Sequence, residues 1–288
     1  MKNLKPARRR FLLMFLLLPY WVDGQTVCTP ESRDRLETTL LRLSNMDVSD
    51  RSMNDLTVEI GSWFLQTPYV EKTLELPGEE QLVINFLGLD CTTFLETVVA
   101  LARIAEQGDC TFSAYELELQ LIRYQAGIRK EYPSRLHYFS DWMYQNQEKG
   151  MLTDITRSIG GIPYENAPAF MSSNPGFYAQ LSNPDYVDRL RAVESAIRVR
   201  NYHYIPKEAV SRYEENIQPG DLIAITTTIP NLDIVHVGLA IAREGRIHLL
   251  HASTNSKEVE VSSKPLHDYL SGNKSQSGIM VGRLLSQQ

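Results

Sequence analysis

The apolar rhythm of the sequence changes at Pro219-Gly220, and that change restricts what the chain can fold into. Upstream, apolar residues recur at helical spacing. Leu36, Leu40, Leu41 and Leu43 follow the cap-and-proline pair Thr29-Pro30, a second stretch covers 53–65, and Phe94, Leu95, Val98, Val99, Leu101 and Ala102 form a wide stripe. Ser113 with Glu116 predicts a capping-box start for a helix running to about Ala126, and Tyr186, Val187, Leu190, Val193 and Ile197 predict another. Downstream, strands are expected over 221–228, 234–242, 246–251, 259–262 and 279–285, separated by turn residues. Helices first and strands after is an α+β order. Between the helices lies a loop-rich stretch with Gly160-Gly161-Ile162-Pro163-Tyr164 and Asn174-Pro175-Gly176. It reads as a helical insertion at about 113–205 within a domain spanning 81–288, preceded by a helical region at 25–80. No repeat or low-complexity tract interrupts this plan.

The first residues are of another kind. Lys2, Lys5, Arg8, Arg9 and Arg10 precede the apolar run Phe11 to Leu18, then Pro19 and a short tail ending at Gly24. That order is the one a secretory signal uses, and the run is well short of the roughly 20 apolar residues a membrane span needs. Residues 1–24 are therefore expected to be cleaved, leaving a periplasmic protein without stable membrane insertion; a retained anchor is the alternative. The remaining chain carries 24 basic and 34 acidic residues, a formal charge of −10. With no Lys/Arg cluster left to neutralise phosphates, a nucleic-acid partner is excluded.

Three cysteines remain, Cys28, Cys91 and Cys110. An odd count in an exported protein leaves at least one free thiol, and Cys28 and Cys110, if near enough, are expected to pair. Gln25, Thr26 and Val27 lack the small residue expected before a lipidated cysteine, which argues against lipid anchoring at Cys28. Cys91 is predicted to start the buried helix, with Asp90 as cap. There the exposed N–H groups and the positive end of the dipole would lower a thiol's pKa and could hold an oxyanion. A buried cysteine packing as a small hydrophobe is the competing reading.

Alternation along Ile234 to Ile241 puts Val235, Val237, Leu239 and Ile241 on one face, with His236, Gly238 and Ala240 on the other. If the hairpin closes symmetrically at Glu244-Gly245, His251 lies opposite Gly238 and diagonal to His236, within bridging reach, while His248 opposes Ile241 on the other face. A slip of one residue would reverse this selection. A thiol, a base and a polar group orienting that base are what nucleophilic catalysis requires. Zinc held by one Cys and two His is a further possibility, but no close-spaced ligand pair supports it, so neither metal nor cofactor is expected. His137, His203 and His267 are assigned to surface or packing. Trp63, Trp142 and the tyrosines from Tyr115 to Tyr204 could line a groove, Tyr164 foremost because it follows Gly160-Gly161.

Four blocks then stand in order: Asp90-Cys91-Thr92-Thr93-Phe94, Gln218-Pro219-Gly220-Asp221-Leu222, His236-Val237-Gly238-Leu239-Ala240 and Leu250-His251-Ala252-Ser253. They resemble the motif blocks of the NlpC/P60 cell-wall peptidases. The variant Cys-Thr-Thr-Phe and the long insertion are closer to the branch known as DUF1460, which resembles N-acetylmuramoyl-L-alanine amidases, over about residues 50–285. The resemblance implies a papain-like α+β core, its antiparallel sheet packed on the nucleophile helix, with catalytic Cys91, His236 and His251. Asp90, Thr92 and Tyr164 are candidates for holding the oxyanion or substrate. The branch's implied activity is cleavage of the amide between the lactyl group of muramic acid and L-Ala in peptidoglycan or its fragments. The wider family's D-Glu to diaminopimelate bond is the alternative, as is a wall-binding module without turnover.

Overall fold

A computed structural model describes residues 26–286, so the signal predicted at 1–24 lies outside the described residues. The helices are α1 Pro30–Ser44, α2 Met53–Ser62, α3 Cys91–Gln107, α4 Phe112–Arg123, α5 Phe139–Glu148, α6 Phe170–Ser173, α7 Pro184–Arg198, α8 Val210–Tyr213 and α9 Leu266–Ser271. The strands are β1 Thr26–Val27, β2 Leu82–Val83, β3 Leu152–Asp154, β4 Ile162–Tyr164, β5 Tyr202–Pro206, β6 Leu222–Thr227, β7 Ile234–Arg243, β8 Arg246–Ala252, β9 Val259–Val261 and β10 Gln276–Leu284. β1 and β2 pair in parallel. The others form one eight-stranded sheet in the order β4-β5-β10-β6-β7-β8-β9, with β3 also on β10. Every pairing in that sheet is antiparallel.

Both faces of the sheet are covered. Leu222, Ala224, Val237, Leu239 and Leu250 share a core with Phe94, Leu95 and Val98 of α3. Ile223, Ile225, Ala240, Leu249 and Val281 pack with Leu266 and Leu270 of α9 and Val210 of α8. Double coverage explains why Leu222 to Ile225 of β6 read as an unbroken apolar run rather than as an alternation, with every residue of the strand buried. No helix among the described residues is long and apolar enough to cross a membrane.

Several expectations change in detail. α4 begins two residues earlier than Ser113 suggests: Thr111 caps it by accepting the Ala114 N–H, and Glu116 instead accepts a hydrogen bond from Thr26. Lys149 donates to the Leu121 and Tyr124 carbonyls at its end, so the helix closes at Arg123 rather than Ala126. The stretch 113–205 is not purely helical. It supplies β3, β4 and β5, which knit it to β10. These strands escape sequence reading because they are three to five residues long and two contain proline. The helix α9 was likewise hidden by its shortness. Cys28, Cys91 and Cys110 are all free, so the expected Cys28–Cys110 disulfide is absent; the Cys28 thiol instead faces the carbonyl of its neighbour Thr29.

The β7–β8 hairpin has the expected register: Leu239 opposes Leu250, Ile241 opposes His248 and Arg243 opposes Arg246. Glu244 and Gly245 both take positive φ, 53° and 76°, the pattern of a two-residue turn that matches strand twist. On the other side of β7 the register slips, with Ile225 opposite His236 but Thr226 opposite Ile234. Val235 is thus the extra residue of a bulge, and it packs with the α9-side core while Val237 packs with the α3 side. The simple alternation that placed Val235 and Val237 on one face fails there. Bulges re-aim side chains, and this one immediately precedes His236.

Candidate active site

Asp90 caps α3 through a reciprocal box. Its carboxylate accepts the Thr93 N–H at 2.8 Å, and the Thr93 hydroxyl accepts the Asp90 N–H at 2.9 Å. This fixes Cys91 as the first helical residue, where the N–H groups of the opening turn lack intrahelical acceptors. The Val237 and Thr92 N–H groups and the Thr92 hydroxyl lie near enough to the Cys91 sulfur to pull its pKa down. These groups favour the thiolate. Burial and the neighbouring Asp90 carboxylate oppose them, and burial prevails, pushing the thiol up to about 12. The lowered pKa expected from the helix terminus alone is therefore not what this setting produces.

His236 and His251 meet at 2.6 Å, Nε2 of the first against Nδ1 of the second, with their rings edge to face. One of these nitrogens must donate and the other accept. Gly238 leaves the space for this contact, since a Cβ there would stand 2.9 Å from His251 Cβ and 2.8 Å from the Leu250 carbonyl. Burial lowers His236 to about 4 and, with His236 beside it, His251 to about 3, so both are neutral imidazoles at pH 7.

Cys91, Thr92, Asp90 and His236 line one pocket of about 310 Å3. Its near wall is the start of α3 and residues 232–237. Its far wall comes from the segment 113–205, through Tyr132, Arg135, His137, Phe170 and Tyr178 among others. His251 stands behind His236, away from the pocket lining. Tyr164 does not line the pocket either; its hydroxyl donates to the Asp233 carbonyl at 3.1 Å and its ring packs on Tyr204. The Asp233 carboxylate accepts the Ser140 N–H, supplying the cap that α5 lacks locally. Among the described residues no group of three His, Cys, Asp or Glu is arranged to hold a metal ion.

The profile of the AmiA-like family, described as N-acetylmuramoyl-L-alanine amidase-like, matches residues 59–279. The chain belongs to this family. Among solved structures, an N-acetylmuramoyl-L-alanine amidase from Bacteroides uniformis matches with a TM-score of 0.77 and 37% identity, over 81% of this chain and 98% of that one. A Bacteroides fragilis protein carrying a provisional xylanase name matches at 0.72 and 36%, over 78% and 99%. A Legionella pneumophila protein assigned to DUF1460 shares the fold, at 0.68 and 24%, over 88% and 96%. No curated protein matches the chain. The AmiA-like chain is accordingly an enzyme of the amidase-like type.

Two residues of the AmiA-like site escaped sequence reading. His137, assigned to surface or packing, faces the pocket: its Nε2 donates to the Tyr132 carbonyl at 2.8 Å, its ring lies 4.4 Å from that of Tyr132, and burial lowers it to about 3. Tyr69, paired with Leu89 just before α3, is close enough to Cys91 and Asp90 that they add to burial in pushing its hydroxyl up to about 12. No motif marks either position. His203 lies on β5 and His267 on α9, where its Nδ1 meets the Lys207 carbonyl, both apart from the pocket.

Proposed function

We propose that this AmiA-like chain hydrolyses the amide joining the lactyl group of N-acetylmuramic acid to L-Ala in peptidoglycan or its fragments, using Cys91 as nucleophile, His236 as base and His251 as the group that orients the base. The observation that carries the reading is the 2.6 Å His236–His251 contact behind a pocket that has Cys91, at a capped helix N-terminus, on its wall. A papain-like core of the NlpC/P60 kind is the parent architecture in this reading, and a cleaved signal at 1–24 would deliver the enzyme to the periplasm, where such a substrate lies.

With Nε2 of His236 engaged by His251, Nδ1 is the nitrogen left to take the thiol proton. As it does so, the sulfur attacks the amide carbonyl carbon and the carbonyl oxygen takes the charge, held by N–H groups of the first turn of α3. Collapse breaks the C–N bond, and His236 returns the proton to the leaving L-Ala nitrogen. Water, deprotonated by His236, then attacks the thioester, releasing the lactyl carboxylate and restoring the thiol. Because both partners rest neutral, the proton moves as the C–S bond forms, rather than from a standing thiolate.

Incubation of purified disaccharide-peptide fragments with the chain and with Cys91→Ala, followed by mass spectrometry, tests the reading. Free peptide beginning with L-Ala, seen with the wild type alone, is the expected product. Cleavage after D-Glu would keep the thiol chemistry and move the bond. Undiminished hydrolysis by Cys91→Ala would overturn the mechanism.

A further inference from the structure

Beyond its contact with His236, His251 has a further neighbour. For His236 Nδ1 to receive the thiol proton, its Nε2 must carry a hydrogen and donate it to His251 Nδ1. His251 must then be protonated on Nε2. That atom is buried, and among the described residues it has no hydrogen-bond partner. A buried N–H without an acceptor bears its full desolvation penalty, so the required tautomer needs an acceptor close by.

The sheet provides one. Glu260 of β9 stands directly opposite His251 of β8 in the antiparallel register, on the same face, with its carboxylate 3.9 Å from His251 Nε2. The distance is too long for a hydrogen bond, but Glu260 is one-third exposed on an end strand and has no other hydrogen bond or ion pair among the described residues. A small side-chain rotation therefore closes the gap at little cost. Tyr269 of α9 packs edge-on against the His251 ring at 5.5 Å and limits its freedom to turn elsewhere.

We infer that Glu260 is a positioning residue: its carboxylate accepts the His251 Nε2–H and holds both imidazoles in the tautomers that leave His236 Nδ1 free for the Cys91 proton. Three successive strands, β7, β8 and β9, thereby place base, orienting group and anchor in one row across the sheet. The inference rests on the proposed thiol mechanism for its catalytic consequence, though the tautomer it predicts is measurable without any turnover.

The test compares Glu260→Ala and Glu260→Gln with the wild type. Nitrogen-15 NMR of the imidazoles is expected to show His251 protonated on Nε2 in the wild type and in Glu260→Gln, whose amide oxygen still accepts, and a mixed or reversed tautomer in Glu260→Ala. On a muropeptide substrate, kcat of Glu260→Ala should fall at least about tenfold with KM unchanged, by analogy with the cost of losing other supporting hydrogen-bond partners, and Glu260→Gln should recover most of it. Thermal melting of each variant checks that the fold is kept. A wild-type His251 protonated on Nδ1 would overturn the inference, as would a Glu260→Ala enzyme with wild-type kcat, or an equal loss in both variants. If the wild type cleaves no muropeptide, the proposed function fails, and the NMR result still decides the role of Glu260.

Discussion

Burial holds His236 and His251 neutral well below the pH at which a free imidazole charges. In the proposed reaction, a base protonated only near pH 4 can still accept the thiol proton at pH 5. The acid limb of kcat/KM, which reports groups of the free enzyme, should therefore have its midpoint well below 6.5. A midpoint at 6.5 or above would mean that His236 is more solvated than its surroundings indicate, or that another group is the base. The Cys91 thiol, pushed up to about 12, should correspondingly react with an alkylating agent as a thiol at neutral pH, its rate climbing with alkalinity.

At the scale of elements, Asp90 has two effects that can be separated. Its carboxylate caps α3, and its charge raises the Cys91 thiol. Asp90→Asn keeps an acceptor for the Thr93 N–H and removes the charge, so melting should change little while Cys91 alkylation at a fixed pH becomes faster. Asp90→Ala removes the cap as well and should cost about 1 kcal/mol in a denaturant titration. An Asn variant alkylated more slowly than the wild type would show that the charge assignment is wrong. These elements were also the legible ones. Asp90, Cys91 and the β7–β8 register could be read because a cap residue, an apolar stripe and a two-residue turn are all local signals. The bulge at Val235 could not be read, since it depends on how β7 pairs with β6. Likewise the pocket's far wall joins Tyr132, His137, Phe170 and Tyr178 from aperiodic segments that only tertiary packing brings together.

In the whole molecule, charge and proton binding are spread over distant elements. Glu96 of α3 accepts hydrogen bonds from Arg123 of α4 at 2.7 Å and from Trp142 of α5 at 3.2 Å, and Arg123 also donates to the Val83 carbonyl of β2. One carboxylate thus ties α3 to α4 and α5. Three imidazoles, His137, His236 and His251, have folded-state values of about 3, 4 and 3, below the unfolded value near 6.5. Between those limits the unfolded chain binds more protons, so their contribution is complete above about pH 6.5 and is lost as pH falls toward 4. Asp233, Asp154 and Glu80, held above their ordinary values by burial, work in the opposite sense. His137→Gln should therefore flatten the fall in melting temperature between pH 6.5 and 4.5 relative to the wild type. A slope left unchanged would show that His137 is already charged in the folded state over that range.

The two ends of the eight-stranded sheet bear on how the chain behaves at high concentration. Beyond β9, Gln66 donates to the Val259 carbonyl and Val259 donates to that of Thr67, so the loop leading toward Cys91 occupies that rim. At the opposite end β4 has three residues, and its central one is Pro163, which has no N–H to offer. Neither rim presents the long open ladder on which a second copy could build. Partial unfolding that frees the 66–67 segment would uncover the β9 rim at Val259 and with it the first opportunity for self-association.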